Sequence, residues 1–339
     1  MLSKVFLTAV VAYIFLRIAK SAPVSNPKVL YFSLIADRDR NSRVPGQAQT
    51  YESILKFGEL TYENGLYTLK LNKDDTTIRT KFSHKGYGAE FSELVNFNGK
   101  YYTVDDKTGI VFEVDPSDKV IPWAILAAGN GGEKTGFKAE WATVRNDLLY
   151  VGSLATEYID KDGKRQDSSF WVKTISKRGY VQNIDWKPNY EKVRKAMGIN
   201  YPGFVWHEAV DWSPATEEWI FMPRKCSTRP YDVGIETVGC NKIVIASKTF
   251  STIKTIDIDR ESADSAAGFS SFKFIPGTKD RHVLALRVVK KNGKTKTYAV
   301  VIDVTNGKVL MAEQKISNEK FEGVLFLKEP QEKYIKQSS

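Results

Sequence analysis

Five short segments of this 339-residue chain open with an oxygen-bearing side chain followed by apolar residues. They are Phe91-Ser92-Glu93-Leu94-Val95, Ala139-Glu140-Trp141-Ala142-Thr143, His207-Glu208-Ala209-Val210, Phe269-Ser270-Ser271-Phe272 and Phe321-Glu322-Gly323-Val324. The residues Ser92, Glu140, Glu208, Ser270 and Glu322 stand 48, 68, 62 and 52 positions apart. Four-stranded propeller blades repeat every roughly 40–50 residues plus insertions. The spacing therefore predicts an all-β fold, a five-bladed β-propeller whose last strand pairs into the sheet opened by the first. Equivalent positions of the blades would converge on the central axis, and three carboxylates meeting there repel unless a cation neutralises them. Donors that are all oxygen select a hard cation. A wide ring of carboxylates and hydroxyls suits calcium, which takes about 6–8 oxygens in flexible geometry, better than magnesium. A β-sandwich would hold the same strands but leaves the recurring oxygen unexplained.

More charged groups are expected on the same strand ends. Asp37 and Asp39 follow the first apolar strand, Glu93 is next to Ser92, and Asp105-Asp106 close a hairpin. Lys138, Arg224 and Lys273 supply the opposite charge. A cation, basic side chains and free carboxylates together describe phosphoryl transfer to water: the metal and basic groups neutralise phosphate, and a carboxylate orients or deprotonates the water. Taken singly, each Asp fits an ordinary turn. His84 and His207 are candidate acid–base groups, His207 fitting strand packing better. There is no Gly-x-x-x-x-Gly-Lys-Ser/Thr, Gly-x-Gly-x-x-Gly, Gly-x-Ser-x-Gly or His-Glu-x-x-His segment, which argues against the corresponding NTPase, dinucleotide, serine-hydrolase and zinc-protease chemistries.

The elements that must position these groups are strands. Residues 29–36 read as a buried strand, and residues 55–60 and 65–72 as a hairpin through Asn64-Gly65. Asn98-Gly99, Asp105-Asp106-Lys-Thr-Gly109 and Asn146-Asp147 mark further turns. Residues 204–212 read as one strand, and residues 189–197 as a helix closed by Gly198. Later strands are expected over 243–247, 252–257, 269–275, 282–289, 298–303, 308–314 and 321–327.

Residues 1–21 read as a signal peptide, with Lys4, an apolar run over 5–16 and small residues near Ser21. A short extended lead-in over 22–28, a single β-propeller domain over 29–327 and a polar tail over 328–339 follow. In a secreted chain Cys226 and Cys240 are expected to form one disulfide. There is no N-glycosylation sequon. The net charge of +10 falls to +7 without Lys4, Arg17 and Lys20. The positive residues are scattered, with Lys290, Lys291, Lys294 and Lys296 reading as hairpin-turn charges, so no dedicated nucleic-acid binding is expected.

Several longer segments closely resemble the calcium-activated nucleotidases, the apyrase family that includes salivary apyrases of bed bugs and sand flies. The matching stretches are residues 35–43 (Ile-Ala-Asp-Arg-Asp-Arg-Asn-Ser-Arg), 92–100, 104–109 (Val-Asp-Asp-Lys-Thr-Gly), 136–141 (Gly-Phe-Lys-Ala-Glu-Trp), 202–208 (Pro-Gly-Phe-Val-Trp-His-Glu), 268–276 and 321–323. The resemblance implies a secreted enzyme, expected to be a monomer free of the membrane, that hydrolyses ATP and ADP to AMP and orthophosphate with calcium in a central tunnel. In saliva such an enzyme would limit platelet aggregation in the host. The resemblance assigns calcium to Ser92, Glu140, Glu208, Ser270 and Glu322, and catalysis to Asp37, Asp39, Glu93, Asp105 and Asp106. To these the charge pattern adds Lys138, Arg224 and Lys273, and with them Glu157, as substrate contacts, while Tyr87, Trp171, Trp206 or another aromatic is left to stack on the base. Where relatives often carry Asp-Gly-Asp-Gly, this chain has Ala127-Ala-Gly-Asn-Gly-Gly132, so the resemblance does not extend to nucleotide preference.

Overall fold

A computed structural model describes residues 28–115, 119–159, 165–231, 237–259, 262, 264–291 and 293–330. The expected signal peptide, nearly all of the lead-in and most of the polar tail lie outside the described residues. Strands dominate, and three sheets each hold four antiparallel strands. In spatial order these are Trp141–Arg145, Leu148–Gly152, Trp171–Ser176 and Val181–Asp185; then Ala209–Ser213, Glu218–Met222, Lys242–Ser247 and Ile253–Asp257; then Gly268–Phe274, His282–Lys291, Lys294–Asp303 and Lys308–Ser317. An eight-stranded sheet runs Phe321–Leu327, Lys28–Ala36, Tyr51–Glu63, Leu66–Thr80, Lys119–Ile125, Ile110–Asp115, Lys100–Asp105 and Phe91–Phe97. Its halves meet at one parallel pairing, Arg79 with Lys119. As the sequence predicts, the last strand pairs antiparallel with the first.

The strands that open the repeats pack on one another in cyclic order. Phe91–Phe97 lies against Trp141–Arg145, that against Ala209–Ser213, then Gly268–Phe274, then Phe321–Leu327, which returns to Phe91–Phe97. The arrangement is propeller-like. Strands of this kind are nearly all buried, as in Phe91–Phe97 and Ala209–Ser213, because both faces meet neighbouring sheets. The outermost strand Val181–Asp185 is mostly exposed, and its lack of apolar alternation hides it from a sequence reading.

Apolar clusters fill the gaps between successive sheets. One joins Trp141 and Val172 to Val210, Trp219 and Phe221, and takes in Tyr190 and Val193 from the helix Lys187–Ala196. Another joins Phe32 and Leu34 to Leu284 and Val301. The hairpins turn at Asn64-Gly65, Asn98-Gly99 and Asn146-Asp147, all with positive φ, which matches the right-handed twist of the flanking strands. The first hairpin is longer than expected, spanning Tyr51–Glu63 and Leu66–Thr80. Residues 204–212 are not one strand. Phe204–Trp206 pairs with Lys225–Ser227 as a separate ribbon, and His207 leaves the ladder to bond Leu154 O at 3.1 Å before Ala209–Ser213 begins. Cys226 and Cys240 are disulfide-bonded with Cα atoms 5.2 Å apart.

Closure depends on a residue without a side chain. A Cβ on Gly323 would lie 2.6 Å from Leu94 N and 2.7 Å from Glu93 C, both backbone atoms that cannot swing aside. Gly323→Val is therefore expected to force the last strand away from Phe91–Phe97 and to cost about 3 kcal/mol, the upper range of overpacking effects. Urea unfolding would read this as a lower midpoint, and an unchanged midpoint would mean the two strands separate freely.

Candidate active site and cation ring

The leading residues of the repeats, Ser92, Glu140, Glu208, Ser270 and Glu322, are all buried. The structure brings the three glutamates within electrostatic reach of one another. Burial pushes Glu140 up to about 7, helped by Glu208 and Asp106 and opposed by Lys138. Burial likewise holds Glu322 well above the usual carboxylate range, with Lys320 opposing and Glu208, Asp37 and Glu140 adding to the rise. Arg224 donates to Glu208 at 3.1 Å and lies 3.9 Å from Glu322. Ser270 Oγ donates to Phe321 O at 2.9 Å. Ser92 Oγ is buried with no hydrogen-bond partner.

A second layer is built by backbone pairing. Lys320 O accepts from Asp37 N at 2.8 Å, Asp37 bridges Glu90, and Glu90 O accepts from Asp106 N at 3.1 Å. These contacts gather Asp37, Glu90 and Asp106, all buried, with one oxygen of each within 4.8 Å of the others. Lysines surround them. Lys320 Nζ lies 2.5 Å from Asp37, 3.0 Å from Glu322 and 3.7 Å from Asp39. Lys138 Nζ donates to Asp106 at 2.6 Å and also to Glu140. Lys107 sits 3.2 Å from Asp106 and 3.3 Å from Glu90, and Lys290 2.6 Å from Asp39.

The protonation states follow from the neighbours. Burial, then Asp37 and Asp106, push Glu90 up to about 8. Burial would raise Asp106 too, but Lys138, Lys107 and Lys320 outweigh it and hold Asp106 low. Burial opposes the charge on Lys138 and Lys320, yet their carboxylate partners hold both well above the usual lysine value. The Asp105–Gly109 turn reaches Lys138 because it packs on bare backbone: a Cβ on Gly136 would stand 2.3 Å from Thr108 O.

Other expected site residues lie elsewhere or face other partners. Glu93 and Lys273 pair with each other at 3.1 Å, with Ser271 Oγ donating to Glu93 at 3.0 Å. Lys273 is also 3.5 Å from Asp211, which accepts from Thr143 Oγ1. The register shifts between Phe91 and Glu93 and between Phe269 and Ser271. Such bulges bring two successive side chains toward the same face, so Glu93 and Ser271 meet. Asp105 Oδ1 accepts from the amides of Lys107 and Thr108 at 2.9 and 3.0 Å, while burial and Asp106 push its pKa up to about 7. Glu157 is held by Arg194, at 2.9 Å, and by Arg165.

His207 packs against Tyr190 with ring centroids 5.1 Å apart and the planes tilted by 32°, and burial, with Arg194 adding to it, drives its pKa down to about 3. It is a packing residue. His84 bridges Tyr87, Arg40 lies 5.8 Å over the Tyr87 ring, Trp171 is half-buried, and Trp206 packs on Tyr231.

Glu90, Lys107, Lys320 and Asp211 escaped the sequence reading. A signal for three of them was present. Two residues before each leading residue stand Glu90, Lys138, Trp206, Gly268 and Lys320, and three residues after stand Val95, Thr143, Asp211, Lys273 and Leu325. Lys138 and Lys320 stand just ahead of the strands Trp141–Arg145 and Phe321–Leu327, each two positions before its glutamate, so the repeat that finds Glu140 and Glu322 also finds these lysines.

Comparison with known proteins agrees with this geometry. The family model described as Apyrase matches residues 38–327. The chain is 45% identical over 315 residues to an apyrase of Phlebotomus duboscqi, covering 92% of this chain and 93% of that one. It is 39% identical to an apyrase of Cimex lectularius, covering 89% and 84%, and 36% identical to the soluble calcium-activated nucleotidase 1 of Mus musculus, covering 87% and 73%. With lysines lining its buried carboxylate cluster and similarity running through nearly its whole described length, the chain belongs to the apyrase family, whose members hydrolyse nucleotides.

Proposed function

We propose that the protein is a secreted, calcium-dependent apyrase that hydrolyses ATP and ADP to AMP and orthophosphate, built as a five-bladed propeller with its cation on the axis. The observation that carries this reading is the stacking of the Asp37, Glu90 and Asp106 cluster over the Glu140, Glu208 and Glu322 ring, with Lys138 and Lys320 each touching both layers. The relative named calcium-activated supports the choice of metal. So does the donor set: the ring offers only oxygens, Ser92 Oγ is buried without a partner, and two of its glutamates are held well above their usual pKa. That chemistry fits a hard divalent cation. The disulfide fits an oxidising compartment, and in a blood feeder's saliva removal of ADP would limit platelet aggregation.

Ser92, Glu140, Glu208, Ser270 and Glu322 would hold the calcium, which when bound supplies charge that polarises phosphoryl oxygens. Lys138, Lys320 and Arg224 turn toward the anionic phosphates and neutralise charge that develops during transfer. Asp106 Oδ1 is buried without a partner and accepts a hydrogen bond from the attacking water. As the new P–O bond forms, the bond from that phosphorus to the bridging oxygen breaks, the shortened nucleotide leaves with the bridging oxygen and its electron pair, and the water proton passes to the carboxylate. Glu90, protonated below about pH 8, donates a hydrogen bond from its otherwise unpartnered side to a phosphate oxygen.

Purified protein with millimolar calcium should release phosphate from ADP and ATP but not from AMP, with activity lost in EGTA and not restored by magnesium. No release from either nucleotide would sink the reading. Glu140→Gln and Glu208→Gln should weaken calcium affinity and activity together, by about tenfold or more. Asp106→Asn should lower kcat by about 100-fold or more at unchanged calcium affinity.

The raised carboxylates also set a pH dependence. Glu90 moves from 4.5 to about 8 on folding. The folded protein thus keeps a proton that the unfolded chain has already lost, and this contribution to stability disappears as pH rises through 8. His207 shifts the opposite way, so its effect is confined below its ordinary 6.5. In EGTA the thermal midpoint should therefore fall between pH 6.5 and 9, and calcium should shrink that fall. A calcium-independent profile would remove the cation from this cluster.

A further inference from the structure

The hairpin made by His282–Lys291 and Lys294–Asp303 carries four lysines near its end that the hydrolytic chemistry leaves unused: Lys290, Lys291, Lys294 and Lys296. Cross-strand register sorts them onto two faces. Lys290 stands opposite Thr295 and Val288 opposite Thr297, whereas Lys291 is opposite Lys294 and Val289 opposite Lys296. Side chains alternate along a strand, and directly opposed residues share a face. Lys290 therefore lies on one face with Thr295 and Thr297, and the other three lysines lie on the reverse.

The face that carries Lys290 is fastened to the acidic site. Thr297 is fully buried, and its Oγ1 donates to Glu319 O at 2.7 Å and accepts from Phe321 N at 3.1 Å. Those two residues flank Lys320, whose ammonium contacts Asp37, Asp39 and Glu322. Lys290 Nζ continues the row, 2.6 Å from the other oxygen of Asp39. Asp39 is steadied by its own amide, which donates to Asp37 Oδ1 at 2.7 Å.

Outward from the ring, charge alternates along this row as Glu322, Lys320, Asp39 and Lys290, while side-chain exposure climbs from 3% through 16% and 37% to 51%. Lys290 thus marks the mouth of the site. Its pair with Asp39 stands partly in solvent, and such pairs contribute little to stability, so the ammonium can exchange this carboxylate for another anion at small cost. The reacting phosphate lies deeper, where Asp106 Oδ1 is buried without a partner. The phosphates joined to it must then extend outward. A nucleoside diphosphate has one phosphate beyond the reacting one and a triphosphate has two, so only the triphosphate brings a third phosphate to the mouth.

We propose that Lys290 is a specificity-determining residue that binds the third phosphate counted from the reacting end, and so serves a nucleoside triphosphate and not a diphosphate. The inference rests on the nucleotide-hydrolase reading above. The test measures kcat/KM for ATP and for ADP at saturating calcium. Lys290→Ala, at an exposed position that leaves the fold intact, should lower the value for ATP about tenfold, near the low end for a hydrogen bond between charged partners, and leave that for ADP nearly unchanged. Lys290→Arg should keep the wild-type ratio of ATP to ADP. A variant combining Lys291→Ala, Lys294→Ala and Lys296→Ala loses three charges from the reverse face and should also keep it. The inference is overturned if Lys290→Ala alters ATP and ADP equally or alters neither, or if the triple variant lowers the ratio as far as Lys290→Ala does. If the wild type hydrolyses neither nucleotide, it is the hydrolase reading that fails.

Discussion

Carboxylates crowded around one axis repel, and the arrangement of the site follows from how that repulsion is balanced. Glu140 and Glu322 are buried close to Glu208, and each feels the others as a rise in its own pKa. The segments leading into the strands supply the first remedy. Two positions before Glu140 and Glu322 stand Lys138 and Lys320, and each ammonium contacts its glutamate. Each lysine touches its own glutamate and one aspartate of the layer above. Desolvating such ions is costly unless each finds partners, so neither layer is stable in this form without the other.

Bringing the layers together depends on backbone, not side chains. Asp37, Glu90 and Asp106 come from segments far apart in sequence, yet each is fixed to the next by a backbone hydrogen bond or bridge. The turn that carries Asp106 closes on Gly136, where a side chain would meet the carbonyl of Thr108. The last strand meets Phe91–Phe97 at Gly323 for the same reason. Charged groups held on strand ends by main-chain bonds are positioned more tightly than groups on free loops.

This division explains what could be read in the sequence. Turn pairs such as Asn98-Gly99, the apolar runs of the inner strands and the recurring Ser or Glu are local signals, and the architecture they imply is propeller-like as expected. Ion pairs are not local. Lys320 and Asp37 are 283 residues apart, and among 50 lysines and arginines nothing marks Lys320 except its place in the repeat. The bulges were equally silent: Glu93 follows Ser92 and reads as part of the same acidic site, but the register shift turns it toward Ser271 and Lys273. Nothing near Glu157 in sequence announces its partner Arg194, which comes from the helix. The break at His207 reflects a bond to Leu154 that no periodicity in residues 204–212 records.

The two networks along the inner strands solve the same electrostatic problem by different means. In the one built on the +3 positions, Lys273 stands between Glu93 and Asp211, and an ammonium carried by the chain itself occupies the place where charge is needed. It cannot leave, so one ammonium is always shared between these two carboxylates, while burial pushes Glu93 up to about 7 despite it. At the other end the carboxylates Asp37, Asp39, Glu90, Asp106, Glu140, Glu208 and Glu322 outnumber the basic groups Lys107, Lys138, Lys290, Lys320 and Arg224 that contact them. The shortfall appears as a Glu90 that keeps its proton to about pH 8 and as ring glutamates that resist ionisation. A site left short of positive charge is one that a divalent cation would stabilise. A fully paired site would gain nothing from one.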